Sequence, residues 1–117
     1  MSNDIIASLK DPLVLSAVKD RAISGLEAVL KTATPELRER VVRQTLARFD
    51  AMARGDTGAA DFALTTIQLD LRTVLNVAES EARGFAHDAL FVVMDAVGAA
   101  LPTAWPLIFK ILRPLVR

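Results

Sequence analysis

Helix start and stop signals constrain the fold of this chain more than any other feature. The dipeptides Asp11-Pro12 and Thr34-Pro35 each place a capping side chain directly before a proline. Such a side chain can accept a hydrogen bond from the first turn of a helix, and proline is tolerated at the first helical position because its N–H would have no partner there. The stretch Gly-Asp-Thr-Gly at 55–58 ends one helix and begins another, and Pro102-Thr103 ends a further one, with Thr103 as a candidate cap.

Hydrophobic periodicity predicts a helix in every segment between these signals. Apolar residues recur at intervals of three and four, as on the buried face of an α-helix, and no segment shows the alternation of a half-buried strand. We therefore expect an all-α protein, an antiparallel helical bundle of four to five helices. The expected helices span residues 12–31, 35–54, 58–79, 80–100 and 104–113. The sequence leaves open whether a helical turn precedes Asp11 and whether the third and fourth helices are continuous.

The fourth helix differs from the first three, which are amphipathic. Between Ala82 and Leu101 it is apolar on nearly all sides, with one narrow line of polar or small positions. A helix of this kind is normally central in a core or shared with a partner. We expect it to be the central helix of a bundle formed by residues 1–101. Residues 102–117 are then an apolar and basic C-terminal helix, which follows Pro102 and packs on the bundle or on a partner.

Composition excludes several classes of protein. The chain has 117 residues, 52% of them hydrophobic, and its 14 basic side chains balance 14 acidic ones. It is too apolar for intrinsic disorder, and its length fits one domain. The absence of cysteine excludes disulfides and any cysteine-based metal site or nucleophile. Because the chain shows neither a secretory signal nor a run of about 20 apolar residues, we expect a cytoplasmic protein.

Few residues could carry chemistry. His87 is the single histidine, and the positions three and four residues away on its helix hold no metal ligand, so we interpret it as a half-buried helix residue. Asp88 and Asp95 share a face about 10 Å apart, which is too far for a carboxylate pair. We interpret them as solvent-edge residues or ion-pair partners of arginines in the second helix. No nucleophile or phosphate-binding motif is present, so we expect no enzyme activity, no catalytic residue, no metal and no cofactor.

Charge is distributed unevenly along the chain. Residues 31–54 carry six basic and three acidic side chains, whereas residues 55–100 carry two basic and seven acidic ones. Acids interrupt the basic helix, and no second basic helix accompanies it, which argues against nucleic-acid binding. The low aromatic content of 5% gives little support to a small-molecule ligand. An acidic middle between basic segments favours complementarity within the chain or between subunits.

The segment 103–117 is the most informative part of the sequence. As a helix, it places its basic residues on one narrow stripe and apolar residues on the remaining surface, which is more apolar area than a surface helix needs. Such a surface must meet the chain's own core, a partner subunit or a bilayer. The residues that we expect to make this contact are Trp105, Ile108, Phe109, Leu112, Lys110 and Arg113.

These observations predict a small helical interaction protein. We expect a non-catalytic structural or adaptor subunit that self-associates or joins a larger assembly through its C-terminal third, because zero net charge removes repulsion between copies. The partner is then another protein or a second copy of the chain. The alternative is a peripheral membrane-binding or membrane-active protein that uses the amphipathic segment 102–117.

Overall fold

The computed structural model describes residues 10–113, and this part of the chain is all-helical, as predicted. It forms five α-helices and one short 3-10 helix and contains no strand. The α-helices are α1 (Pro12–Val29), α2 (Pro35–Arg54), α3 (Thr57–Leu75), α4 (Glu79–Ala100) and α5 (Trp105–Leu112), and the 3-10 helix spans Pro102–Ala104. The turn considered before Asp11, and residues 114–117 of the C-terminal segment, lie outside the described residues.

The first two helices begin at the predicted capping signals. The Asp11 carboxylate accepts a hydrogen bond from the backbone N–H of Leu13 at 2.9 Å. The Thr34 hydroxyl accepts one from the backbone N–H of Leu37 at 3.2 Å. Each bond satisfies an N–H that has no partner inside its helix, so these short motifs fix where α1 and α2 start.

The signals at the other helix ends are confirmed only in part. Gly55 ends α2 with φ 75°, a left-handed conformation that a residue without Cβ adopts freely. Asp56 then caps α3 by accepting a hydrogen bond from the N–H of Ala59 at 3.0 Å. The prediction that Thr103 caps the last helix is wrong, because Thr103 lies inside the 3-10 helix and Ala104 occupies the cap position without a side-chain bond.

The fourth helix, α4, is central, as predicted. It packs against all four other α-helices and against the 3-10 helix. Nine of its residues are buried, more than in any other helix of residues 10–113. Five of these nine are alanine or glycine, and small side chains allow neighbouring helix axes to approach closely. The buried residues of α4 are Ala82, Ala86, Ala89, Leu90, Val93, Met94, Ala96, Val97 and Gly98.

Two polar contacts connect the helices at the rim of this core. Asp70 of α3 accepts hydrogen bonds from Arg40 Nε at 3.0 Å and from Gln44 Nε2 at 2.8 Å, both on α2. Arg21 of α1 pairs with Asp95 of α4 at 3.3 Å. Because both side chains of the second pair are more than half exposed, it contributes little to stability. Apolar packing around α4 therefore accounts for most of the tertiary structure.

A sharp break separates α3 from α4, which settles the question of whether they are continuous. The third helix ends at Leu75, four residues before the expected end at 79, and Asn76 adopts φ 55°. It is the one non-glycine residue between 10 and 113 with a positive φ. Asparagine tolerates this left-handed conformation better than most residues, because its side chain can form local hydrogen bonds there.

The left-handed conformation of Asn76 predicts the effect of two substitutions. Asn76→Ala should lower the free energy of unfolding by about 1 kcal/mol, because a Cβ without a compensating polar group is unfavourable in this region. Asn76→Gly should be at least as stable as the wild type, since it removes the Cβ. Urea unfolding followed by circular dichroism measures both variants. Equal stability of the alanine and glycine variants would show that this backbone conformation does not limit stability.

Candidate functional site

The C-terminal helix α5 packs on the chain's own bundle. Ala104 and Ile108 are fully buried and Ile111 is nearly so, and all three belong to the main hydrophobic core. They are spaced by four and three residues, so they form the inner stripe of the segment. The sequence prediction left open whether this segment packs on the bundle or on a partner. Its inner stripe packs on the bundle.

The six predicted contact residues are distributed over several environments. Ile108 is buried in the chain's own core, so it could reach a partner only if α5 left the bundle. Trp105 and Leu112 are partly buried against the same core. The side chains of Phe109, Lys110 and Arg113 are exposed. Periodicity could not separate these groups, because a segment that is apolar on most sides does not indicate which side faces inward.

A stack of two aromatic rings connects the core to the surface of α5. A Cβ at Gly98 of α4 would overlap the indole ring of Trp105, so the ring lies directly against the backbone of the central helix. Phe109 stacks on Trp105 with ring centroids 5.6 Å apart and an angle of 28° between the planes. The Phe109 side chain is nevertheless 60% exposed. The stack therefore has one ring held by the bundle and one ring accessible to solvent.

Basic residues flank the exposed ring. Lys110 and Arg113 are exposed, and neither forms an ion pair with another residue of the described range. The chain contains no acidic residue after Asp95. We call the surface formed by Trp105, Phe109, Lys110 and Arg113 the α5 patch. It combines an aromatic anchor with positive charge, which suits an acidic counterpart.

An acidic stripe runs along the exposed side of α4. Glu81, Asp88 and Asp95 are seven residues apart, so they share one face of the helix, and all three are exposed. Asp95 pairs with Arg21 of α1, so the predicted ion pair with an arginine of α2 is wrong. The other predicted position, at the solvent edge of the helix, is confirmed. The half-buried ring of Phe91 lies between Asp88 and Asp95 on this stripe.

His87 lies beside this stripe, and its predicted environment is wrong. The residue is exposed rather than half-buried, and its ring meets Phe91 edge-on with centroids 4.8 Å apart. Within residues 10–113, no three side chains of the metal-ligating types are grouped closely enough to hold a metal ion.

Sequence analysis missed a second exposed apolar surface, on α3. Phe62 and Leu69 are 76% and 61% exposed and are seven residues apart, so they share one face. Between them, the Thr66 hydroxyl donates a hydrogen bond to the carbonyl of Phe62 at 2.9 Å. We call the surface formed by these three residues the α3 patch. Its signal was the heptad spacing of two large apolar residues outside the buried stripe of Ile67 and Leu71.

A cavity of about 640 Å³ lies where the end of α2, the start of α3 and the side of α5 meet. Arg48 of α2 lines it and is the one buried charged residue in the described range. Nothing in the neighbouring sequence marks this position, because the other seven charged residues of α2 are exposed or half-exposed to solvent. Its environment depends on α5, which is distant in sequence.

Comparison with known protein families, curated proteins and solved structures finds no match to this chain. None of the helices in the described range is long and apolar enough to cross a membrane.

The contact between Trp105 and Gly98 predicts a large effect of one methyl group. Gly98→Ala should displace the indole ring, because overpacking of this kind costs about 1–3 kcal/mol. Alanine would recover only about 1 kcal/mol of helix propensity. We expect a net loss of stability in urea unfolding and a red shift in the fluorescence of Trp105, the single tryptophan of the chain.

Gly84→Ala provides the matched control on the same helix. A Cβ at Gly84 would meet no atom within 4 Å. This substitution should therefore raise the free energy of unfolding by about 0.5–1 kcal/mol and leave the fluorescence unchanged. If both variants gained stability to the same extent, Trp105 would not lie against Gly98.

Proposed function

We propose that this protein is a non-catalytic helical interaction subunit that self-associates through the α5 patch. The observation that best supports this proposal is the exposed ring of Phe109, stacked on Trp105, which is itself held against Gly98. Aromatic side chains near the centre of an interface often dominate its binding energy. A ring already fixed by packing also loses little conformational entropy when a partner covers it.

Charge complementarity supports a second copy of the chain as the partner. The α5 patch presents Lys110 and Arg113, whereas the stripe on α4 presents Glu81 and Asp88, and none of these four forms a cross-helix ion pair in the described range. The α5 patch of one copy would then contact the acidic stripe of another. In a two-fold dimer this contact forms twice. Zero net charge means that no long-range repulsion opposes the encounter.

The orientation of α5 gives less support to the membrane-binding alternative. An interfacial helix inserts a continuous apolar face into the bilayer. In α5 the most apolar stripe, with Ile108 and Ile111, packs on the chain's own core, so insertion would require the helix to leave the bundle. The exposed side retains a single large apolar ring, Phe109, between basic residues.

The proposal predicts the effect of serine at two exposed phenylalanines. Phe109→Ser should weaken self-association at least about tenfold, because truncation of a central aromatic anchor typically costs more than about 1.4 kcal/mol of binding free energy. Phe62→Ser, on the α3 patch, removes a phenylalanine that is more exposed than Phe109 and should leave association unchanged. Light scattering during size-exclusion chromatography over a range of concentrations measures the mass of each variant against the 12.7 kDa monomer.

Three outcomes would contradict the proposal. A wild type that stays monomeric at every concentration would exclude self-association. Dissociation by Phe62→Ser but not by Phe109→Ser would move the interface to the α3 patch. Flotation of the wild type with anionic vesicles, lost in Phe109→Ser, would favour the membrane alternative. Circular dichroism of both variants checks that the bundle remains folded.

A further inference from the structure

The cavity beside Arg48 has the dimensions of a ligand site. Its volume of about 640 Å³ lies within the range of about 300–1,000 Å³ that is typical of small-molecule sites. The apolar part of its lining is aliphatic and comes from three helices, with Met52 on α2, Ala60 on α3, and Leu107 and Ile111 on α5. Such walls suit an alkyl chain, which needs no aromatic partner. The low aromatic content of the sequence therefore does not argue against a ligand of this class.

Arg48 is a buried cation without a protein partner. Its residue exposure is 9%, and its guanidinium forms no hydrogen bond or ion pair with any other residue of the described range. Burial lowers the pKa of Arg48, although the negative charge of Asp61 opposes this shift. No nitrogen of Arg48 is among the buried, unpartnered polar atoms of the described range, so the guanidinium remains accessible from the cavity. An anion bound in the cavity would supply the missing partner.

The remaining charges around the cavity define the charge of that anion. Arg54 is already paired with Asp50 at 3.1 Å and with Asp56 at 3.8 Å. Lys110 and Asp61 also line the cavity and carry opposite charges. The charged side chains that line the cavity, three basic and two acidic, therefore sum to one positive charge. A monoanion matches this charge, whereas a dianionic phosphate would add repulsion from the carboxylate of Asp61.

We propose that this cavity binds a small aliphatic monocarboxylate, with its carboxylate on Arg48 and its alkyl chain against Leu107 and Ile111. The planar guanidinium can bind both oxygens of a carboxylate in a bidentate pair. Residues of α5 line the same cavity as Arg48, so the ligand would contact both α2 and α5. The site does not depend on self-association, because all of its lining residues come from one chain.

Calorimetric titration of the full chain with octanoate tests this site, with 1-octanol as the uncharged analogue of equal chain length. Wild-type protein should bind octanoate at least tenfold more tightly than 1-octanol. Arg48→Met should remove that preference, so that both ligands bind with similar, weak affinity. Arg43→Met, at an exposed position of the same helix, should behave as the wild type. Leu107→Gln should weaken both ligands, because it changes the aliphatic wall.

The thermal stability of the unliganded variants gives an independent measurement. Arg48→Met should unfold at a higher temperature than the wild type, because it removes a charge whose desolvation outweighs its attraction to Asp61. Absence of octanoate binding by the wild type, or unchanged octanoate affinity in Arg48→Met, would overturn the proposal. Loss of octanoate affinity in Arg43→Met to the same extent would also overturn it, because the effect would then be one of general surface charge.

Discussion

Contact with α4 is the constraint on which the other helices depend. This helix is surrounded by α1, α2, α3 and α5, and alanine or glycine occupies more than half of its buried positions. Small side chains allow four helices to approach one axis, and alanine loses no side-chain entropy when it is buried. After His87, the polar residues of α4 are Asp88 and Asp95, and both lie on its exposed acidic stripe. The acidic stripe with Glu81 and Asp88 is thus a consequence of the central position of the helix.

The contact between Gly98 and Trp105 extends this core to the end of the described chain. Because the indole ring occupies the space that a side chain would fill at Gly98, α5 is held close to the bundle and its inner stripe is buried. Most apolar side chains of α5 are thereby buried or partly buried against the core. Phe109 is the large apolar side chain of α5 that remains mostly exposed. The same packing interaction thus supports both the fold and the proposed interface.

Sequence analysis succeeded where local chemistry decides the structure. Caps at Asp11 and Thr34 act over three residues or fewer, so their signals could be read directly. It failed where the outcome depends on contacts between distant segments. Which side of α5 faces inward depends on its position beside α2 and α4, and the isolation of Arg48 depends on the cavity wall that α5 provides. The left-handed Asn76 was missed for a different reason, since asparagine occurs in helices and at their ends alike.

Native-state hydrogen exchange on the intact chain tests most directly whether α5 is an integral part of the core around α4. We predict that the amides of residues 109–113 exchange through the same global opening as those of residues 90–97. Their free energies of opening should agree within about 1.4 kcal/mol, a factor of ten in exchange rate. Rapid exchange of residues 109–113 through a local opening, while α4 remains protected, would contradict this structure of the core.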